Sequence, residues 1–147
     1  MLTDNEQQSL DIDWFFTNNE EVAFVASGGG RLPQSVAKSA ENNKLLTSFF
    51  RELPITSAVE INPELNKVIT TIIDDRYLAD FIYMAQKGLF SFDKTVLNNF
   101  SESRYHLVAK PISPLKFSQL PPEIRGILMA SKYDGNIDSI IDSRTIT

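Results

Sequence analysis

The sequence predicts an α+β fold, a single domain with a mostly antiparallel sheet of four or five strands and helices packed on one side. Three observations lead there. The chain has 147 residues, 42% hydrophobic and 22% charged, which suits one core and leaves no room for a second full domain. Short aromatic and β-branched runs alternate with segments of helical period, without repeats or low-complexity tracts. The first two runs stand so close in sequence that a hairpin is the natural connection.

That hairpin pairs "IDWFFT" (12–17) with "EVAFVA" (21–26) across asparagines that tolerate a tight turn. Beyond the glycines at 28–30, Pro33 can open a helix, and "PQSVAKSAENNKLLTSFFREL" places Leu45, Leu46, Phe49, Phe50 and Leu53 at helical spacing. Asn42 and Asn43 are where this segment is expected to split, and Pro54 ends it. A strand follows over 55–61, with Ile55, Ser57, Val59 and Ile61 on one face. In "NPEL", Asn62 caps a helix that Pro63 opens. The clearest helix is "DDRYLADFIYMAQKG": Asp74 or Asp75 serves its N-terminus, Leu78, Phe81, Ile82 and Ala85 share a face, and Gly88 stops it. "LFSFD" and "RYHLVAKP" read as strands joined by a loop around Lys94 to Ser103, and "SQLPPEIRGILMAS" as a helix opened by its prolines. The domain is expected over 1–133, followed by a polar C-terminal tail, 134–147, that packs loosely or serves as a contact strand.

Charge is uneven. Residues 1–73 carry ten Asp and Glu against five Lys and Arg, which accounts for the whole net charge of −5; residues 74–147 balance. An acidic field favours a basic partner and repels phosphates, so a protein partner is expected rather than nucleic acid, although the same charge can serve solubility alone. The absence of cysteine excludes disulfides and sulfur-ligated metals and fits a reducing cytoplasm. The polar start "MLTDNEQQSLDID" has neither the basic segment nor the apolar run of a secretory signal. No stretch approaches the roughly 18 apolar residues of a membrane span. The expectation is a soluble cytoplasmic protein that does not engage a membrane; its oligomeric state is left open.

The stretch most suggestive of a ligand is "VASGGGRLPQSV" (25–36). It lacks the Gly-Lys-Ser/Thr of a Walker loop, because Gly30 is followed by Arg31, Leu32 and Pro33. It also lacks the third glycine and second strand of a dinucleotide fingerprint. Gly28, Gly29 and Gly30 with Arg31 can still form a nest of N–H groups for a phosphate or carboxylate, or simply connect strand to helix.

Catalytic features are sparse, so no enzyme, cofactor or metal site is expected. His106 is the only histidine and reads as structural between Tyr105 and Leu107 in a strand. No Gly-x-Ser-x-Gly elbow occurs. Asp11 and Asp13, or Asp74 and Asp75, can bind a cation or do acid–base work. A solvated strand edge explains the first pair equally well, and helix capping the second. Trp14 alternates with Ile12 and Phe16 and is expected in the core; were its face exposed, it would form with Asp11 and Asp13 an aromatic anchor ringed by acid. Glu20 and Glu21 complete the acidic candidates.

The succession "DIDWFFTNNEEVAFVASGGGRLPQSV", "YMAQKGLFSFD" and "YHLVAKPISPLKFSQLPPEI" resembles a layout among small bacterial proteins, some of them similar to immunity proteins of polymorphic toxin systems. The likeness follows most of the chain in order and rests on structural motifs. It implies a non-enzymatic acidic protein that binds and blocks a basic toxin. The residues nominated for contact are Asp11, Asp13, Trp14, Glu20 and Glu21. The alternative is a small anionic ligand held by Gly28–Arg31, and a carboxylate-dependent enzyme is the third reading.

Overall fold

The computed structural model describes residues 1–137 and 140–147 as one α+β domain. The chain opens with α1 (Asp4–Ser9), closed at its start by a capping box in which Thr3 and Glu6 satisfy each other's backbone N–H. The hairpin β1 (Asp13–Thr17) and β2 (Val22–Ala26) follows. Its turn is made by Asn19 at φ 77° and by Asn18, whose side chain accepts from the N–H of Glu20 and of Glu21.

The helical segment after Pro33 divides into α2 (Gln34–Ala37) and α3 (Ala40–Arg51). The break falls at Ser39, not at Asn42–Asn43, because the Ser39 hydroxyl caps α3 by accepting from Asn42 N–H. Asn43 is instead buried and donates to the Asp13 carbonyl. The strand expected over 55–61 is reduced to β3 (Val59–Ile61), since the N–H groups of Thr56 and Ser57 both go to the Gln86 carbonyl rather than to a strand.

After α4 (Leu65–Val68), α5 (Asp75–Gln86) has the expected ends: Asp74 caps it by accepting from Tyr77 N–H, and Gly88 leaves it at φ 98°. Lys87 closes a different helix. Its ammonium donates to the carbonyls of Arg51 and Leu53 at the end of α3. Strands β4 (Phe90–Lys94) and β5 (Arg104–Pro111), helix α6 (Pro122–Leu128) and strand β6 (Ile140–Asp142) complete the order.

The sheet has six strands, one more than the upper expectation, in the order β1-β2-β4-β5-β3, with β6 also paired to β5. All pairings are antiparallel except β2 with β4, which requires the long crossover through α2–α5. The longer helices α3, α5 and α6 cover one face, where Phe15, Phe24, Phe50, Phe81 and Leu128 meet. On the other face Trp14, Phe16, Val25, Phe92 and Tyr105 are covered by α2 and by the tail. The C-terminal segment supplies β6 to this sheet: Ile137, Ile141 and Ile146 are buried, and Lys132 and Thr147 exchange two backbone hydrogen bonds. No described helix is long and apolar enough to cross a membrane.

Candidate functional site

The glycine turn is occupied by the protein itself. Gly28 and Gly29 take positive φ, and of the five N–H groups from Gly28 to Leu32 all but that of Gly29 already have acceptors. Gly28 donates to Asp11 Oδ1 (2.9 Å), Gly30 to the Ser27 carbonyl (2.8 Å), Arg31 to the Phe100 carbonyl (3.0 Å) and Leu32 to Gln7 Oε1 (2.8 Å). Asp11 thus takes one of these N–H groups, that of Gly28, and the others go to acceptors elsewhere in the chain. The Arg31 guanidinium stacks 4.4 Å over the Phe100 ring and reaches Asp4 at 3.5 Å, with its side chain about half exposed.

Trp14 is fully buried, edge-on to Tyr105 and beside Phe16. The surface anchor considered for it is therefore excluded, and strand alternation explains why: its side of β1 faces the core under α2 and the tail.

The acidic residues divide between two ends of the hairpin. Glu20 and Glu21 sit at its tip, while Asp11 and Asp13 lie a strand length away, roughly 15 Å at about 3.3 Å per residue. At the second end Arg51 joins α3, β1 and α5. Its Nε donates to Asp13 Oδ2 (2.8 Å), and its two terminal nitrogens form a fork on Asp80 (2.7 and 2.9 Å). Burial pushes the Asp13 carboxyl above the usual range, against the pull of Arg51, and Asp80 and Asp11 add to the upward push. Asp74 is used as the α5 cap. Among the described residues no group of three or more carboxylates or imidazoles is placed to hold a metal ion.

Asp93, which is not among the candidates that the sequence offers, anchors a polar cluster at the same end. Register places it beside Ala26 and opposite His106, and the antiparallel course of α5 brings Tyr77 over it. The Tyr77 hydroxyl donates to Asp93 Oδ2 at 2.7 Å, and Lys94 N–H donates to Oδ1 at 2.8 Å. His106 is fully buried, with Nε2 3.4 Å from the Tyr77 hydroxyl and Nδ1 3.0 Å from Thr95 Oγ1. Burial pushes Asp93 up to about 6, which the Tyr77 and Lys94 hydrogen bonds only partly offset, and the Asp11 charge adds to the rise. Burial alone takes His106 down to about 4, so the imidazole is neutral at pH 7. Burial, then the Asp93 charge, pushes the Tyr77 phenol well above its ordinary value. Phenol, carboxylate and neutral imidazole therefore form a donor–acceptor set.

This cluster opens on a cleft of about 400 Å³ between the end of α4 with the residues that follow it (Val68–Thr71) and the segment Thr95–Leu97. Asp93, Tyr77 and Lys94 line it, but the Lys94 ammonium lies away from it, where it donates to the Glu102 carbonyl below the glycine turn. A sequence signal for Asp93 existed. In "LFSFDK" Phe90 and Phe92 share one face, so Ser91 and Asp93 must face the helices, and an acid facing helices is an acid partly removed from water. Comparison of the chain with family models, curated proteins and solved structures returned no match.

Proposed function

We propose that this chain is a non-enzymatic protein-interaction module that receives a basic protein partner, in the manner of an immunity-type inhibitor. The observation that supports this reading is the gathering of Asp11, Asp13, Asp80 and Asp93 at one end of the sheet, with Arg51 the one cation among the described residues that is bonded to them. Such a group projects a negative potential that speeds encounter with a positive surface. The chain-wide net charge of −5 acts in the same sense and disfavours nucleic acid. A composition without cysteine suits work in a reducing cytoplasm. The glycine turn is the weaker place for a ligand, because the N–H groups of Gly28, Gly30, Arg31 and Leu32 already have acceptors.

The test is the association rate with basic proteins encoded beside this one, measured across a salt series. The expected result is a rate that falls steeply with salt and falls again in Asp11→Asn and Asp80→Asn. The paired change Glu20→Gln with Glu21→Gln reports the opposite end of the hairpin and is expected to matter less. A rate indifferent to salt and to all four carboxylates overturns the proposal.

A further inference from the structure

We propose that the cleft beside Asp93 is a binding site for an alkylammonium group, an amine carried on an apolar stem, with Asp93 as its counter-ion and Tyr77 as an aromatic wall. This goes beyond the protein-interaction reading and does not depend on it. At about 400 Å³ the cleft is of the size that holds small ligands. Val68, Ile69, Val96 and Leu97 supply apolar sides for the stem, and Asp93 lines the same cleft.

The charge of the ligand follows from what Asp93 lacks. Its oxygens accept from a phenol and a backbone N–H, and none of the ion pairs among the described residues includes it. A carboxylate partly removed from water with only neutral donors is left under-compensated. A cation in the cleft would complete it, a neutral molecule would not, and an anion would meet Asp93 with Asp11 close behind. The Tyr77 ring adds the aromatic surface that organic cations favour.

The surrounding charges permit this. Lys94 holds its ammonium on the other face of the sheet, bonded to Glu102 O, and burial favours its neutral form. His106 from β5 is neutral. Arg104 is paired with Glu102, Lys67 with Glu64, and Arg76 is exposed on α5 beside Asp74 and Asp75. Because the ionised carboxylate is the binding form, affinity is expected to fall about tenfold between pH 7 and pH 5.

The experiment titrates the full chain with n-butylammonium, with Nα-acetyl-lysine N-methylamide and with 1-butanol, following the Lys94 amide and the Asp93 carboxyl carbon by NMR. Saturable binding of an ammonium probe, a lowered Asp93 midpoint in its presence and no response to 1-butanol are expected. Binding of the lysine derivative identifies the source as a side chain of another protein, whereas binding of butylammonium alone identifies a free amine. In Asp93→Asn the affinity is expected to drop at least about tenfold. The proposal is overturned if neither ammonium saturates, if 1-butanol binds equally, or if Asp93→Asn binds as well as the parent. Should that variant fail to fold, an Asp93 midpoint unmoved by the ammonium in the parent protein overturns it equally.

Discussion

Gly30 lies directly over the Lys94 ammonium: a Cβ added at Gly30 would stand 2.9 Å from Nζ, 2.7 Å from the Tyr105 hydroxyl and 3.0 Å from the Ser27 carbonyl. The turn is glycine-rich at this position because it closes over a buried lysine. Gly30→Ala must displace a fixed ring or the backbone and is expected to destabilise the fold by about 1–3 kcal/mol. Gly126 in α6 has nothing within 4 Å of such a Cβ, so Gly126→Ala is expected to stabilise by about 0.5–1 kcal/mol. Thermal unfolding of the two variants, with opposite signs of shift, checks the pair.

Asp93 and His106 oppose one another in the pH dependence of stability. The folded chain holds the Asp93 proton more tightly than the unfolded chain, about 6 against 3.8, so this group's contribution falls as pH rises from about 4 to 6. It holds the His106 proton less tightly, about 4 against 6.5, so that contribution rises over nearly the same range. Each amounts to about 3 kcal/mol at about 1.4 kcal/mol per pH unit, and the two nearly cancel. Urea unfolding should give the parent a shallow profile between pH 4 and 6, tilted downward by the raised Asp13 carboxyl, whereas Asp93→Asn should rise by up to about 3 kcal/mol from pH 4 to 6.5. A parent profile as steep as the variant's would show that Asp93 is not raised.

Arg51 holds three elements together through two carboxylates of unequal burial. Arg51→Met leaves Asp13, largely covered, without its cation and is expected to cost about 2 kcal/mol. Asp80 is half exposed, so Asp80→Ala is expected to cost under about 1 kcal/mol. Arg51→Lys should lose less than Arg51→Met without matching the parent, since an ammonium cannot span both carboxylates as the planar fork does. Urea midpoints of the three variants provide the comparison.

The tail offers a test within a single dipeptide. Ile141 is 1% exposed and Ile140 is 50% exposed, as strand alternation requires. Ile141→Ala should cost about 2–5 kcal/mol and Ile140→Ala under about 0.5 kcal/mol. Equal effects would mean that β6 is not in the register described.

Local chemistry was legible in the sequence wherever one residue and its neighbours decide the outcome. Asn19 in the hairpin turn, Asp74 and Gly88 at the ends of α5, and Trp14 in the core all follow from short-range rules. Pairing order was not legible, because the parallel contact of β2 with β4 joins Ala23 to Phe90 across most of the crossover. The same distance hid the polar cluster: the register of β4 against β5 brings Asp93 to His106, and the packing of α5 on the sheet brings Tyr77 to both. The hidden partners of Asp11 and Asp13 also matter. A backbone N–H and a guanidinium from elsewhere in the chain claim carboxylates that a linear reading leaves open.

The pairing of the tail has a consequence for synthesis. Strand β1 lies at the sheet edge, its Thr17 is bridged by Lys132, and Lys132 in turn is bonded to Thr147. While the chain emerges from a ribosome, the apolar run Trp14–Phe16 is made more than a hundred residues before the segment that helps to cover it. In that interval an uncovered edge of this composition is a template for pairing with a second nascent chain. Variants that weaken the tail should therefore be lost mainly to aggregation during expression, out of proportion to the stability they forfeit once folded.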